Sequence, residues 1–393
     1  MNFDFAKQDY EFMEEVEDFV TKEMPSDWED KAIYWPAGYG TMPTMEKEYK
    51  EFCDNFIKRL GQKGWLSLGW PKEYGGQKSM LKHAILQDVL SYYRLPYGDV
   101  SNMLAAPVII QAGSEKMKKE WLPKIAKGEV RFWLGYSEPN AGSDLASIQT
   151  RADKEGGNFI VNGQKVWSSG AHIADYAWLV ARTGAVEDRQ RGLSLMIVDN
   201  SSPGITIRPL ENICGIHSFN EVFFDQVRVP EENLVGEVNK GFYYLMLALL
   251  HERFMIGIGS FKRVFEELTS YVRENKDIKI GCLERKKLAE LYIDIEALYG
   301  IYWRAAWLVD RGIAAEKEVP ALKLFATELS IKMANISIEV MGQYGQLLKG
   351  NLAPLQGRIA LGYLDSISGA IGAGTSEIQR GIIATRGLGL PRG

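Results

Sequence analysis

At 393 residues, with 46% hydrophobic and 25% charged side chains, the chain has the make-up of a soluble globular protein too long for one ordinary core. That excludes a disordered class and sets two or three domains, or a large composite fold, as the expectation. The net charge of -5, with Lys and Arg scattered, argues against a nucleic-acid stripe or a polybasic membrane anchor, so neither nucleic acid nor membrane is expected as a partner.

The opening Met-Asn-Phe-Asp-Phe-Ala-Lys has no basic region followed by an apolar run, and no stretch reaches membrane-spanning length. From Ala6 to about Lys127 apolar positions recur every three or four residues, with breaks at Pro25, Trp35-Pro36, Trp70-Pro71 and Pro96, which reads as a helical layer. The period changes from about Arg131 to Pro230. Phe159-Ile-Val-Asn162-Gly163-Gln-Lys-Val-Trp167 carries a hairpin signal with Asn-Gly in the turn, and Tyr176–Arg182, Leu193–Val198 and Glu221–Val229 continue as short strands. This block reads as an antiparallel β-domain. Helical periodicity then returns to about Val340, followed by a Gly-rich stretch and a last helix from Thr375 to about Ala384. The expected fold class is α+β, with a helical domain over 1–130, a β-domain over 131–232 and a helical bundle over 233–393.

Three cysteines far apart in sequence, Cys53, Cys214 and Cys282, fit no metal spacing and no disulfide framework, which suggests reduced thiols and a cytoplasmic setting. The four histidines, His83, His172, His217 and His251, are dispersed as well, so no metal site and no Ser-His-Asp hydrolase is expected.

One carboxylate is out of place. In Leu245-Met-Leu-Ala-Leu-Leu-His-Glu-Arg-Phe-Met-Ile, helical spacing sets Glu252 beside Ala248 and Leu249 one turn back and Met255 and Ile256 one turn on. Such a setting resists ionisation and raises a carboxyl pKa toward the range of a neutral-pH general base. A Glu paired to a buried Arg, or turned to solvent at a helix end, accounts for the same residues. Elsewhere, Phe132-Trp-Leu-Gly-Tyr-Ser-Glu-Pro-Asn-Ala-Gly-Ser-Asp144 gathers small residues, hydroxyls and turn formers: Gly142 permits close backbone approach, and Ser137 and Ser143 can bond a polar ligand edge. No G-x-G-x-x-G follows a strand and no Walker-type loop is present.

Tyr136-Ser-Glu-Pro-Asn-Ala-Gly-Ser-Asp-Leu, Val161-Asn-Gly-Gln-Lys-Val-Trp-Ser-Ser-Gly, Glu221-Val-Phe-Phe-Asp-Gln-Val-Arg-Val-Pro and Gly374-Thr-Ser-Glu-Ile-Gln-Arg, in that order and spacing, resemble the acyl-CoA dehydrogenase family over nearly the whole chain. The resemblance implies an N-terminal helical domain, a middle β-domain and a C-terminal four-helix bundle, with FAD as cofactor. It implies an acyl-CoA substrate, an electron-transfer flavoprotein as partner, and a homotetramer or an α2β2 heterotetramer.

By position, Leu134 to Ser143 match the stretch along flavin and thioester. Tyr136 and Ser137 fall at the isoalloxazine, with Gly142 beside it and Ser143 toward the pantetheine arm. Trp167 and Ser169 match the aromatic wall and the hydroxyl near flavin N5, a chemistry that an indole face and a hydroxyl can supply. Thr375, Ser376 and Glu377 match the loop and helix start that bind the nucleotide half of FAD. Glu339-Val-Met-Gly342-Gln343 resembles the segment that contacts FAD across the dimer interface.

Two departures stand out. Many members carry the catalytic Glu immediately before Gly-Thr, where this chain has Ala373 ahead of Gly374. Others, the isovaleryl and long-chain enzymes among them, place the base before an Arg on the helix that here holds Glu252-Arg253. The displaced carboxylate and the missing one thus explain each other. The resemblance assigns the base to Glu252, a CoA contact to Arg253, and a backbone N–H toward the thioester carbonyl to Ala373. The second departure is the cross-subunit Arg contact to FAD. It falls near Asn275, with Arg273 or Arg285 as substitutes.

Overall fold

A computed structural model describes residues 5–32, 47–97, 99–252 and 256–391. In chain order the helices are α1 (Lys7–Glu23), the single turn α2 (Trp28–Lys31), α3 (Lys47–Gln62), α4 (Met80–Tyr92), α5 (Ala106–Ala112) and α6 (Glu115–Ala126). Strands β1 (Phe132–Gly135), β2 (Arg151–Glu155), β3 (Asn158–Lys165), β4 (Tyr176–Arg182), β5 (Leu193–Asp199), β6 (Ile205–Glu211) and β7 (His217–Pro230) follow. The chain continues through α7 (Gly241–Glu252), α8 (Gly259–Glu274), α9 (Cys282–Asp310), α10 (Glu318–Met341), α11 (Arg358–Gly369) and α12 (Ser376–Ile382).

Two compact units result. One gathers α1, α2, α4 and α8 to α12. Its helices bury stripes at three- and four-residue spacing, Phe12, Val16 and Val20 on α1 and Leu322, Ala326, Leu329, Met333 and Ile336 on α10. Within it α4 packs on α8 and α9, tied by the Tyr302 hydroxyl to the Ala84 carbonyl and the Tyr299 hydroxyl to Asp88, each at 3.0 Å. Ser79 starts α4 by accepting the Lys82 N–H at 3.2 Å.

The other unit gathers α3, α5 to α7 and a seven-stranded sheet in the order β1-β4-β2-β3-β7-β6, with β5 on β4. Its core is Trp133, Phe159, Val161, Leu179, Met196, Val222 and Phe224 with their neighbours. The sheet is mixed, not purely antiparallel as the sequence suggested: β1 runs parallel to β4 from Phe132↔Tyr176 to Gly135↔Leu179, with the β2–β3 hairpin between them in sequence.

The hairpin turn also differs from expectation. It lies at Gly156-Gly157, where both residues have positive φ and Glu155 pairs with Asn158, as a two-residue turn requires. Asn162-Gly163 instead runs inside β3 opposite a bulge in β7. Asn162 Oδ1 accepts from the N–H of Gln226 at 2.8 Å, and a Cβ at Gly163 would come within 2.6 Å of Thr150. Close backbone approach, not a turn, demands that glycine.

Candidate functional site

In the sheet-bearing unit, β1 delivers the chain to Tyr136 and Glu138, both buried, with Leu134 and Ser137 half-buried. A tight turn follows, closed by Glu138 N–H to the Ala141 carbonyl at 2.9 Å and Ala141 N–H to the Glu138 carbonyl at 3.1 Å. Gly142 and Ser143 are exposed beyond it, and a Cβ at Gly142 would meet no atom within 4 Å.

Glu138 anchors this turn. Its carboxylate accepts from Lys165 Nζ at 2.8 Å and from the N–H groups of Gln149 at 2.7 Å and Thr150 at 2.9 Å, and Lys165 also donates to the Tyr136 carbonyl at 3.0 Å. Burial pushes the carboxyl pKa up, but the Lys165 ammonium and the donors outweigh it and hold it below the ordinary value. Burial draws the Lys165 ammonium down to about 8, against the pull of Glu138. The pair is ionised at neutral pH, since three donors converge on the carboxylate.

Val166 N–H donates to the Ser137 carbonyl at 3.0 Å and so joins the 134–143 segment to the end of β3. Next comes Trp167, in the left-handed region at φ +57 with its indole 63% exposed and Phe219 edge-on at 6.0 Å. An exposed indole on a strained backbone is a platform for a flat ligand. Ser169 is exposed beside it, and the buried Ser168 hydroxyl has no hydrogen-bond partner among the described residues. Open backbone at Gly142, an uncovered indole and the exposed Ser169 suit a flavin ring. Sequence motifs far apart in the chain, Leu134 to Ser143 and Trp167 to Ser169, are thus stitched together.

The start of α7 is fixed by β5. Asn239 N–H donates to the Ser194 hydroxyl at 2.7 Å, and a Cβ at Gly241 would come within 2.5 Å of the Ser194 backbone. Glu252 ends the described helix, about 16 Å along at 1.5 Å per residue. Its side chain, those of Ala248 and Leu249, and the whole of Arg253 and Met255 lie outside the described residues. Ile256 stands outside helix α7.

In the helical unit, Ala373 and Gly374 take φ +53 and +85 in succession before α12. Buried Lys323 of α10 holds this loop, donating to the carbonyls of Gly369 at 2.9 Å and Gly374 at 2.7 Å, while the fully buried Gln379 donates to the Ala373 carbonyl at 3.0 Å. Thr375 caps α12 by accepting the Ile378 N–H at 3.3 Å. The buried Ser376 hydroxyl has no partner among the described residues. Backbone N–H and the Thr375 hydroxyl draw the exposed Glu377 carboxyl below its ordinary pKa.

Exposed Glu339 pairs with Lys287, and Gly342 ends α10 at φ +57, followed by exposed Gln343. Glu339 is about 24 Å along α10 from Lys323, so one chain does not bring these two groups together. Asn275 is committed to the end of α8, its side chain donating to the Tyr271 carbonyl at 2.8 Å, and Arg273 and Arg285 are exposed. Sequence reasoning missed Lys165, Lys323 and Gln379 as supports. The signal available was a lysine or glutamine at an apolar-facing position, the same signal that singled out Glu252. Among the described residues no group of three or more His, Cys, Asp or Glu could hold a metal ion, and no helix is long and apolar enough to cross a membrane.

Comparison with known proteins gives matches to the acyl-CoA dehydrogenase N-terminal domain over residues 7–129, middle domain over 134–227 and C-terminal domain over 239–388. The chain is 33% identical over 350 residues to acyl-CoA dehydrogenase FadE29 of Mycobacterium tuberculosis, covering 86% of this chain and 88% of that protein. It is 32% identical over 351 residues to mitochondrial isovaleryl-CoA dehydrogenase of Pongo abelii, covering 86% of this chain and 81% of the relative. Among solved structures, the Tcur3481-Tcur3483 steroid ACAD matches with a TM-score of 0.89 at 30% identity, over 100% of both chains.

Proposed function

The chain belongs to the acyl-CoA dehydrogenase family of FAD-dependent oxidoreductases acting on CH-CH bonds, and from that premise we propose that it converts an acyl-CoA thioester to the trans-2-enoyl-CoA. The observation that carries the reading is the exchange of carboxylates: Glu252 is the last residue of α7 and precedes Arg253 in sequence, while Ala373 stands before Gly374-Thr375. A thioester α-proton is too weakly acidic for an unaided carboxylate, so the carbonyl oxygen must meet fixed donors as enolate character develops. Glu252 takes the α-proton, Arg253 holds part of the CoA, and the backbone N–H of Ala373 serves the carbonyl, a role that needs no side chain. FAD, when bound, supplies the acceptor for the β-hydrogen.

Leu134, Tyr136, Ser137 and Gly142 line the ring, with Ser143 toward the pantetheine arm and Trp167 and Ser169 as wall and hydroxyl. Thr375, Ser376 and Glu377 bind the nucleotide half, and Glu339, Gly342 and Gln343 serve a partner subunit's FAD. The domains are 1–130, 131–232 and 233–393, assembled as a homotetramer or an α2β2 heterotetramer. The acyl group is branched, alicyclic or otherwise bulky. Small residues at Gly372 and Ala373 support this, as do the names of the isovaleryl and steroid relatives. Electrons leave to an electron-transfer flavoprotein in the cytoplasm, a setting that the reduced thiols of Cys53, Cys214 and Cys282 suit.

The test is turnover of purified yellow protein on straight, branched and cyclic acyl-CoA thioesters with an artificial electron acceptor, beside an oxygen electrode. Enoyl-CoA formed without oxygen uptake supports the reading. Stoichiometric oxygen uptake makes the protein an acyl-CoA oxidase, and an oxygenated product makes it a flavin monooxygenase. Purification without flavin marks a non-catalytic subunit of a heterotetramer.

A further inference from the structure

His172, in the loop between β3 and β4, and His217, the first residue of β7, are stacked with ring centroids 3.9 Å apart and planes 23° apart. Both bond the fully buried Asn220: its Oδ1 lies 2.8 Å from His217 Nε2, and its Nδ2 lies 2.9 Å from both the Ser168 carbonyl and His172 Nδ1. A carbonyl only accepts, so Nδ2 must face Ser168 and the amide orientation is fixed. It follows that His172 accepts at Nδ1 and carries its proton on Nε2, while His217 donates from Nε2. The backbone repeats this clasp, with Ser168 N–H to the Asn220 carbonyl at 3.1 Å and Gly170 N–H to the Ser218 carbonyl at 3.2 Å.

Trp167 precedes the clasped residue. Its left-handed backbone is sparsely populated for a bulky side chain and persists only where its surroundings over-determine it. The Val166 bond to Ser137 fixes one side of it. On the other side, both the N–H and the carbonyl of Ser168 end on Asn220.

We propose that Asn220 is a positioning residue: by holding His172 and His217 as a stacked pair it fixes Ser168, and through Ser168 it aims Trp167 and Ser169 at the flavin. This rests on the reading that Trp167 and Ser169 face the isoalloxazine. The groups that bear on the protonation of His172 are His217 on β7, Lys50 on α3 and the Asn220 amide. The first two oppose a positive charge there, and burial opposes it most.

The experiment compares holoprotein with Asn220→Ala, Asn220→Asp and Trp167→Phe by visible absorption and circular dichroism of the bound flavin from about pH 6 to about pH 8. Asn220→Asp is isosteric but cannot donate to Ser168 or to His172 Nδ1, and its carboxylate favours a protonated His172. Its flavin spectrum should therefore become pH-dependent where the wild type is flat. Asn220→Ala should shift the flavin bands and weaken FAD binding about tenfold. Trp167→Phe should shift the bands without introducing pH dependence. If Trp167→Phe shifts the flavin and both Asn220 variants match wild type, the positioning role is wrong and the reading of Trp167 stands. A Trp167→Phe spectrum identical to wild type sinks that reading and the proposal with it. Should Asn220→Ala not fold, the pH response of Asn220→Asp decides alone.

Discussion

Lys165 and Glu138, 27 positions apart, meet at 2.8 Å as an ion pair that is almost wholly out of solvent, Lys165 entirely so. Neither residue faces a ligand in the reading given above. Together they hold the turn that bears Tyr136 and Ser137, because the same ammonium also bonds the Tyr136 carbonyl.

Removing one member strands the other. Lys165→Met should lower stability by about 3–5 kcal/mol, since it leaves an ionised, buried carboxylate, whereas Lys165→Met with Glu138→Leu should recover much of that loss. Denaturant unfolding of the four proteins of the cycle measures the coupling. A double-variant loss equal to the sum of the two single losses would mean that the pair is uncoupled and adds nothing beyond packing.

A second prediction concerns acyl shape. A Cβ at Gly372 would meet only the Ser368 carbonyl, at 3.7 Å, and Ala373 is exposed, so side chains larger than these have room in this loop. Filling unoccupied volume discriminates by roughly 10–200-fold per missing or extra group. The wild type should prefer branched or alicyclic acyl-CoA over butyryl-CoA in kcat/KM, and Gly372→Tyr should erode that preference. A clear wild-type preference for butyryl-CoA over every bulky substrate refutes the prediction.

Much of this was legible in the sequence. Tyr176–Arg182 is a strand with the expected bounds because its apolar run is buried throughout. Strands β2 and β6 escaped for physical reasons: Arg-Ala-Asp-Lys-Glu buries only Ala152, and β6 carries Pro209 on the sheet edge, where a missing N–H is tolerated. The Asn-Gly turn signal failed because Gly156-Gly157 already supplied two positive-φ residues, while Gly163 answers to Thr150. Trp167 and Ser137 were readable as motif positions. Their supports were not, because Asn220, His172 and His217 look like dispersed polar residues until the β7 register brings them to one place.

The stacked histidines predict an acid limit. Burial, then His217 and Lys50, lower the His172 pKa from 6.5 to about 4, so the folded protein holds it neutral while an unfolded chain takes up the proton as pH falls. The contribution to stability is therefore complete above the unfolded value and is lost between 6.5 and about 4. Thermal unfolding temperature should drop across that window. His172→Gln, whose side-chain carbonyl can still accept from Asn220, should flatten the drop. An equally steep drop in His172→Gln assigns the acid loss to other groups.

The last prediction bears on Glu252 itself. As the general base, Glu252→Gln should retain FAD and bind acyl-CoA while turnover falls by roughly 10²–10⁴-fold, the usual worth of a positioned proton acceptor. A structural glutamate behaves in the opposite way. Gln would keep part of its hydrogen bonding, turnover would stay near normal, and the loss would be about 1–3 kcal/mol of stability. Glu252→Asp separates chemistry from placement: the carboxylate remains but is withdrawn by one methylene, and a misplacement of about 1 Å can cost 10²-fold. Its turnover should be low yet above that of Glu252→Gln. Exchange of the substrate α-hydrogen with heavy water, followed by mass spectrometry, tracks proton abstraction apart from the redox step. Wild type and Glu252→Asp should exchange and Glu252→Gln should not. Near-normal kcat or exchange in Glu252→Gln would remove Glu252 as the base and the proposed proton transfer with it.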